Sequence, residues 1–269
     1  MSIFRDLLTA LRLAFKAKFV WMGFGLLLAV ALVMLLSAYF GGRQPVTVAL
    51  DVGVSTIRLL LPLLIVLLVQ ELLSREFDKR YYLSSLTYPR ARSSLLFGRF
   101  VAVLALFLGL LLLLSFLQIG LTQFLSGFYP QATPVALGQP YLIVIAFMAL
   151  DLLVLAALAT LLAVVASTPS FVLIGTFGFM LVARSYGAIV ELLGRDAGLV
   201  SNTEGYRAGL GVLGYLLPDL GALDVRMVAL YGKMEFLPAD WPWLLLSNLA
   251  YAFALLALAV WALQRKRFS

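Results

Sequence analysis

The sequence predicts an all-α polytopic membrane protein with six transmembrane helices, an N-terminal amphipathic interfacial helix and a broken helical segment before the last span. Three observations predict it. Hydrophobic residues make up 63% of the 269-residue chain, against about 45–50% in an ordinary soluble domain. Charged residues supply only 12%, and the mean hydropathy is +1.05. The charges are also bunched, with none from Phe100 to Leu150, from Leu152 to Ala183 or from Trp241 to Gln264. Backbone inside hydrocarbon must satisfy its own hydrogen bonds, which leaves helices or a closed barrel. A barrel strand alternates polar and apolar residues, and these runs do not.

The spans fall at roughly 19–40, 50–72, 99–124, 141–166, 170–192 and 242–264. The first is free of charge from Phe19 to Phe40, and the second is interrupted by Arg58 before running out at Gln70 and Glu71. The turn Ser167-Thr168-Pro169-Ser170 separates the fourth from the fifth. Proline suits a first helical position, where its missing N–H costs nothing. The chain forms a single transmembrane domain over residues 1–269.

Lys and Arg set the orientation. Residues 1–18, the connection between the second and third spans with the flanking Arg99, and the tail carry thirteen of the 20 cations, all on one side of a six-span chain. The opposite side has Arg43, Arg195, Arg207, Arg226 and Lys233 over a longer total length. Both termini are therefore expected in the cytoplasm, with the protein in a bacterial inner membrane. The formal charge of +7 is a topological signature whose partner is anionic lipid, not nucleic acid.

Within residues 1–18, Ile3, Phe4, Leu7, Leu8, Leu11, Ala14 and Phe15 fall on one helical arc, with Arg5, Arg12 and Lys16 opposite. That pattern describes a helix lying flat at the interface. On the other side of the membrane, the stretch 194–240 is too long for a plain connector. Its apolar part, Ala208 to Leu223, is too short and too broken by Gly and Pro to span. It reads as short re-entrant helices that dip into the outer leaflet or cap a cavity.

Absent residues narrow the chemistry. The chain has no His and no Cys, which excludes imidazole and thiolate metal sites, disulfides and His- or Cys-based catalysis. None of its five Lys sits in a G-x-x-x-x-G-K-[ST] loop, so ATP is not bound here by the Walker route. No cofactor or metal is expected in this chain, and it is not expected to be an enzyme.

The cytoplasmic region 73–98 mixes polar and apolar residues, with Pro89 placed to stop one helix and start the next. Glu76, Leu86, Pro89, Arg90, Gly98 and Arg99 follow, in order and approximate spacing, a pattern that resembles the type-2 ABC exporter permeases. Their usual Gly-Thr pair is absent, replaced around Arg80-Tyr81. The resemblance implies a membrane subunit that pairs with a second permease, most simply as a homodimer, around a substrate pathway. It also implies two cytoplasmic ATPase subunits, which would bring ATP and Mg and dock on the coupling residues Glu76, Arg80, Leu86, Pro89 and Arg90. Lipids, glycans, peptides or amphipathic drugs would be the substrates. The alternatives are a secondary transporter using intramembrane charges and a membrane assembly factor.

Arg58, Asp151 and Arg184 are the ionisable residues well inside the spans. Each would cost about 2.5–3.5 kcal/mol at a helix centre if left alone. Counted from the outer ends at the helical rise, they lie about 12, 15 and 13 Å deep. One acid between two bases at one level suggests a cluster joining the second, fourth and fifth spans. A buried ion pair that fixes packing ranks ahead of a substrate site, and a proton-coupling role ranks below both.

The N-terminal helix carries its own test. Spin labels in place of Arg5 and Arg12 should be relaxed by a water-soluble agent. Labels shielded deep in hydrocarbon would reverse the assignment.

Overall fold

A computed structural model of the protein describes residues 19–74, 92–129, 134–166, 168–195 and 217–265. The interfacial residues Arg5, Arg12 and Lys16 and the coupling residues Glu76, Arg80, Leu86, Pro89 and Arg90 lie outside the described residues. The helices are α1 (Phe19–Phe40), α2 (Pro45–Val69), α3 (Arg92–Phe128), α4 (Gln139–Val165), α5 (Pro169–Arg195), α6 (Arg226–Tyr231) and α7 (Trp241–Arg265). A π-helical turn, Gln70–Ser74, extends α2. All but α6 are long and apolar enough to cross a membrane, and no strand occurs among the described residues. The protein is an all-α multi-pass membrane protein.

The start of α1 and the end of α7 share one face, called proximal here. The connections 41–44, 134–138 and 217–240 lie on the opposite, distal face. Prolines mark several starts: Pro45 in the first turn of α2, Pro140 in that of α4 and Pro169 at the head of α5. At the proximal end of α7 the Arg265 guanidinium stacks over the Trp261 ring at 4.2 Å. A cation in a last turn complements the helix dipole, and Trp favours the interface.

Two spans differ from the apolar windows. The second begins at Pro45 rather than 50, and the third runs from Arg92 to Phe128 rather than 99–124. An apolar window marks the part of a helix that sits in hydrocarbon, whereas helical hydrogen bonding continues into the flanking polar turns. Arg92 and Arg99 therefore belong to the third spanning helix itself.

The bundle is built around α4. In its most apolar window 72% of α4 is buried, against 22% for α1 and for α5. Helices α2, α3, α5, α6 and α7 all pack on it. In lipid there is no hydrophobic drive between helices, so close van der Waals packing through small residues has to hold them together. The run Ala156, Ala157, Ala159, Thr160 and Ala163, all buried, supplies that surface. By contrast, α1 buries only a stripe, Gly23, Leu26, Val30, Met34 and Ala38, and turns large apolar side chains outward on its other sides.

The α1–α2–α3 junction depends on Gly53. A Cβ there would stand 2.7 Å from Gln118 Nε2 and 2.8 Å from Met34 Cγ. Gln118 is itself fixed, since its Oε1 accepts a hydrogen bond from the Tyr141 hydroxyl at 2.7 Å. Gly53→Leu should therefore destabilise the bundle, on the scale of about 1–3 kcal/mol for overpacking. A lower thermal midpoint of the detergent-solubilised protein checks this; an unchanged midpoint would mean that the junction is loose.

Candidate functional site

On α2, Asp51, Ser55 and Arg58 follow at spacings of four and three, so they share one face. Asp151 lies near the middle of α4, Arg184 on the distal half of α5, and Asp224 and Arg226 at the start of α6. The structure brings these charges into one alternating chain. Arg184 Nη2 meets Asp151 Oδ2 at 2.5 Å, and Arg58 Nε approaches the same oxygen at 3.5 Å. Arg58 Nη1 also pairs with Asp224 Oδ2. Asp224 Oδ1 lies 3.4 Å from Arg226 Nε, whose Nη1 reaches Asp51 Oδ1 at 3.0 Å and also donates to Ser55 Oγ.

Three arginines are thus balanced by three aspartates, from the distal loop down into the bundle. The balance matters because a charge left unpaired in a low-dielectric interior costs several kcal/mol. Asp151 is the deepest member, with its side chain 1% exposed, while Arg58, Arg184 and Asp224 keep 13, 17 and 25%.

Arg184 has a second task. Pro62 lies four residues after Arg58 within α2 and has no N–H to donate to the Arg58 carbonyl. Arg184 Nη1 supplies the missing donor at 3.0 Å. One side chain of α5 therefore satisfies both a buried carboxylate of α4 and a freed backbone carbonyl of α2.

The segment 217–225 is seated on α5 through two glycines. A Cβ on Gly221 would stand 2.7 Å from the Arg184 carbonyl oxygen, and one on Gly187 would stand 2.9 Å from Asp219 Oδ2. Asp219 Oδ1 in turn accepts the Ala222 N–H at 3.0 Å, which shapes the turn. Leu220 and Leu223 are buried, and the Leu220 carbonyl accepts a hydrogen bond from Arg58 Nη2 at 2.6 Å. Beside this segment lies a cavity of about 510 Å³ lined by residues that include Tyr186, Asp219, Asp240, Trp243 and Tyr251.

At the proximal end, Gln70 Nε2 donates to the Pro169 carbonyl at 2.5 Å and so ties the end of α2 to the head of α5. A second cavity, of about 360 Å³, sits there between Phe19, Leu67, Glu71 and Pro169. Among the described residues no group of three or more His, Cys, Asp or Glu is placed to hold a metal ion.

Of the site residues named from sequence, Arg58, Asp151 and Arg184 meet, while the coupling and interfacial residues lie outside the described residues. Sequence reasoning missed Asp51, Asp224 and Arg226. Two signals were present: the Asp51-Ser55-Arg58 face, and Pro62 four residues beyond Arg58.

Residues 15–185 match the model of a family described as ABC-2 family transporter protein, which is more than half of the 269 residues. The match takes in Arg58, Asp151 and Arg184 and stops before Asp224 and Arg226. No curated protein matches the chain.

Asp151→Asn should leave two guanidinium groups without their shared carboxylate and cost about 3–5 kcal/mol, as breaking a buried pair does. Arg184→Gln in the same chain should return part of that loss, with a coupling of about 0.5–3 kcal/mol between contacting sites. Thermal midpoints of the two single variants and the double variant form the cycle. Strict additivity would mean that the two side chains do not interact.

Proposed function

Because the chain belongs to the ABC-2 family of transporter proteins, we propose that this permease subunit serves an exporter. In this reading two copies face each other to form the pathway, and a separate ABC ATPase docks beneath each. The orientation is the one the Lys and Arg distribution favours, with both termini in the cytoplasm of a bacterial cell and the proximal face toward it. The family match over residues 15–185 carries the reading. The lack of a Walker loop in the sequence supports a division of labour in which ATP and Mg bind to the partner.

Docking is assigned to the connection between α2 and α3, where Glu76, Arg80 and Arg90 offer polar contacts, Leu86 an apolar knob and Pro89 a fixed turn. Closure of the ATPases would move that connection, and with it α2 and α3, as rigid bodies. The basic N-terminal helix would brace the same region at the inner leaflet. The substrate falls among lipids, glycans, peptides and amphipathic drugs. A secondary transporter draws no support from the interior acid, since Asp151 is engaged by Arg58 and Arg184.

Co-purification of the tagged chain with an ATP-hydrolysing subunit is the decisive test, and a chain that transports alone on a proton gradient would refute the reading. Charge reversal at Glu76 or Arg90 should leave membrane insertion intact and uncouple transport from hydrolysis, measured side by side in proteoliposomes. Normal transport in both variants would remove the coupling role from this segment.

A further inference from the structure

Arg58 spends most of its hydrogen-bonding capacity on the distal loop rather than on the helical bundle. Its Nη1 pairs with Asp224, and its Nη2 donates to the Leu220 carbonyl at 2.6 Å. Only Nε faces a helix, at 3.5 Å from Asp151. If the loop withdrew, two donors of a planar guanidinium would be left free, beside Arg184 and over a single carboxylate. That remainder would carry one net positive charge at membrane depth, a costly state unless an anion takes the place of Asp224. Paired donors in a fixed fork match the oxygens of a phosphate as they match a carboxylate.

Two further facts fit a site that exchanges one anion for another. The cluster is not sealed, since Arg58, Arg184 and Asp224 all keep some exposure. Within it, Arg184 Nε is buried with no hydrogen-bond partner, a donor still available to a ligand oxygen.

We propose that Arg58 and Arg184 form a binding site for a phosphate group of net negative charge, one with no ammonium beside it to cancel that charge, which Asp224 fills as a built-in competitor. Loop withdrawal and anion binding are then one linked event: the ligand gains affinity as the fraction of chains with the loop withdrawn rises. The proposal rests on the transport reading for its purpose, but its chemistry needs neither an ATPase nor transport. The phosphate could be the headgroup of an anionic lipid or a soluble ion, and the two are separable.

The test uses the full chain in nanodiscs of phosphatidylcholine, alone or doped with phosphatidylglycerol, with retained lipid counted by native mass spectrometry. Asp224→Asn should raise retention of phosphatidylglycerol several-fold and leave phosphatidylcholine unchanged. Adding Arg58→Gln should abolish the gain. Glu235→Gln, at an exposed distal acid outside the ion-pair chain, should do nothing. Release of the retained lipid by inorganic phosphate would assign the site to a soluble anion, and no release would assign it to lipid; either supports the site.

A second variant covers the case in which Asp224→Asn does not fold. The chain has no cysteine of its own, and an ideal Cβ on Gly187 stands 3.4 Å from Asp219 Cγ, within reach of a disulfide. Gly187→Cys with Asp219→Cys should pin the loop to α5 when oxidised. Phosphatidylglycerol retention should fall in that state and return on reduction. Equal retention in both states, or a gain at Asp224→Asn that phosphatidylcholine shares, overturns the proposal while leaving the permease reading intact.

Discussion

At one turn of α2 the chain places a permanent positive charge and a carbonyl that its own helix cannot satisfy, for Arg58 lies four residues before Pro62. Both would be severe faults in hydrocarbon, where no water repairs them. Much of the bundle follows from the repair. Asp151 of α4 lies near the charge, Arg184 of α5 reaches the carbonyl, and Arg184 and Asp151 bind each other. Three helices are thereby held at one depth and one rotation, because Arg58, Asp151 and Arg184 each find a partner on a different element. Displacing any one of them leaves charges or backbone groups without partners elsewhere.

That constraint explains why the distal segment is part of the core rather than a cover. Arg58 draws Asp224 and the Leu220 carbonyl inward, and Gly221 and Gly187 let the segment pass against α5. The α4 surface of Ala and Thr brings the helices close enough for the cluster to form. The distal half of the bundle is therefore laced with charge, and at its proximal end the Gln70 to Pro169 hydrogen bond ties α2 to α5. The helices joined by that bond, α2 and α5, also carry Arg58 and Arg184.

The lipid-facing side has a simpler logic. Because α1 buries only a narrow stripe, most of its surface is large and apolar. Such a surface suits hydrocarbon or another membrane helix, and the same composition that excludes a soluble fold makes it stable there.

The sequence by itself determined the fold class and the number and approximate position of the spans. Long charge-free runs admit few arrangements in a membrane, and hydropathy reads them directly. It also placed Arg58, Asp151 and Arg184 at similar depths, since depth along a helix is a matter of counting residues at a fixed rise. It did not reveal helix rotation or which residues of the distal loop meet which helices. Asp224 is 166 positions beyond Arg58, and no local periodicity ties a bend in a connector to a distant helical face. The cluster therefore read as three charges, whereas packing made it six. Only the tertiary structure decided that the Pro62 defect is answered from α5, because a missing N–H says that a donor is needed and nothing about which helix supplies it.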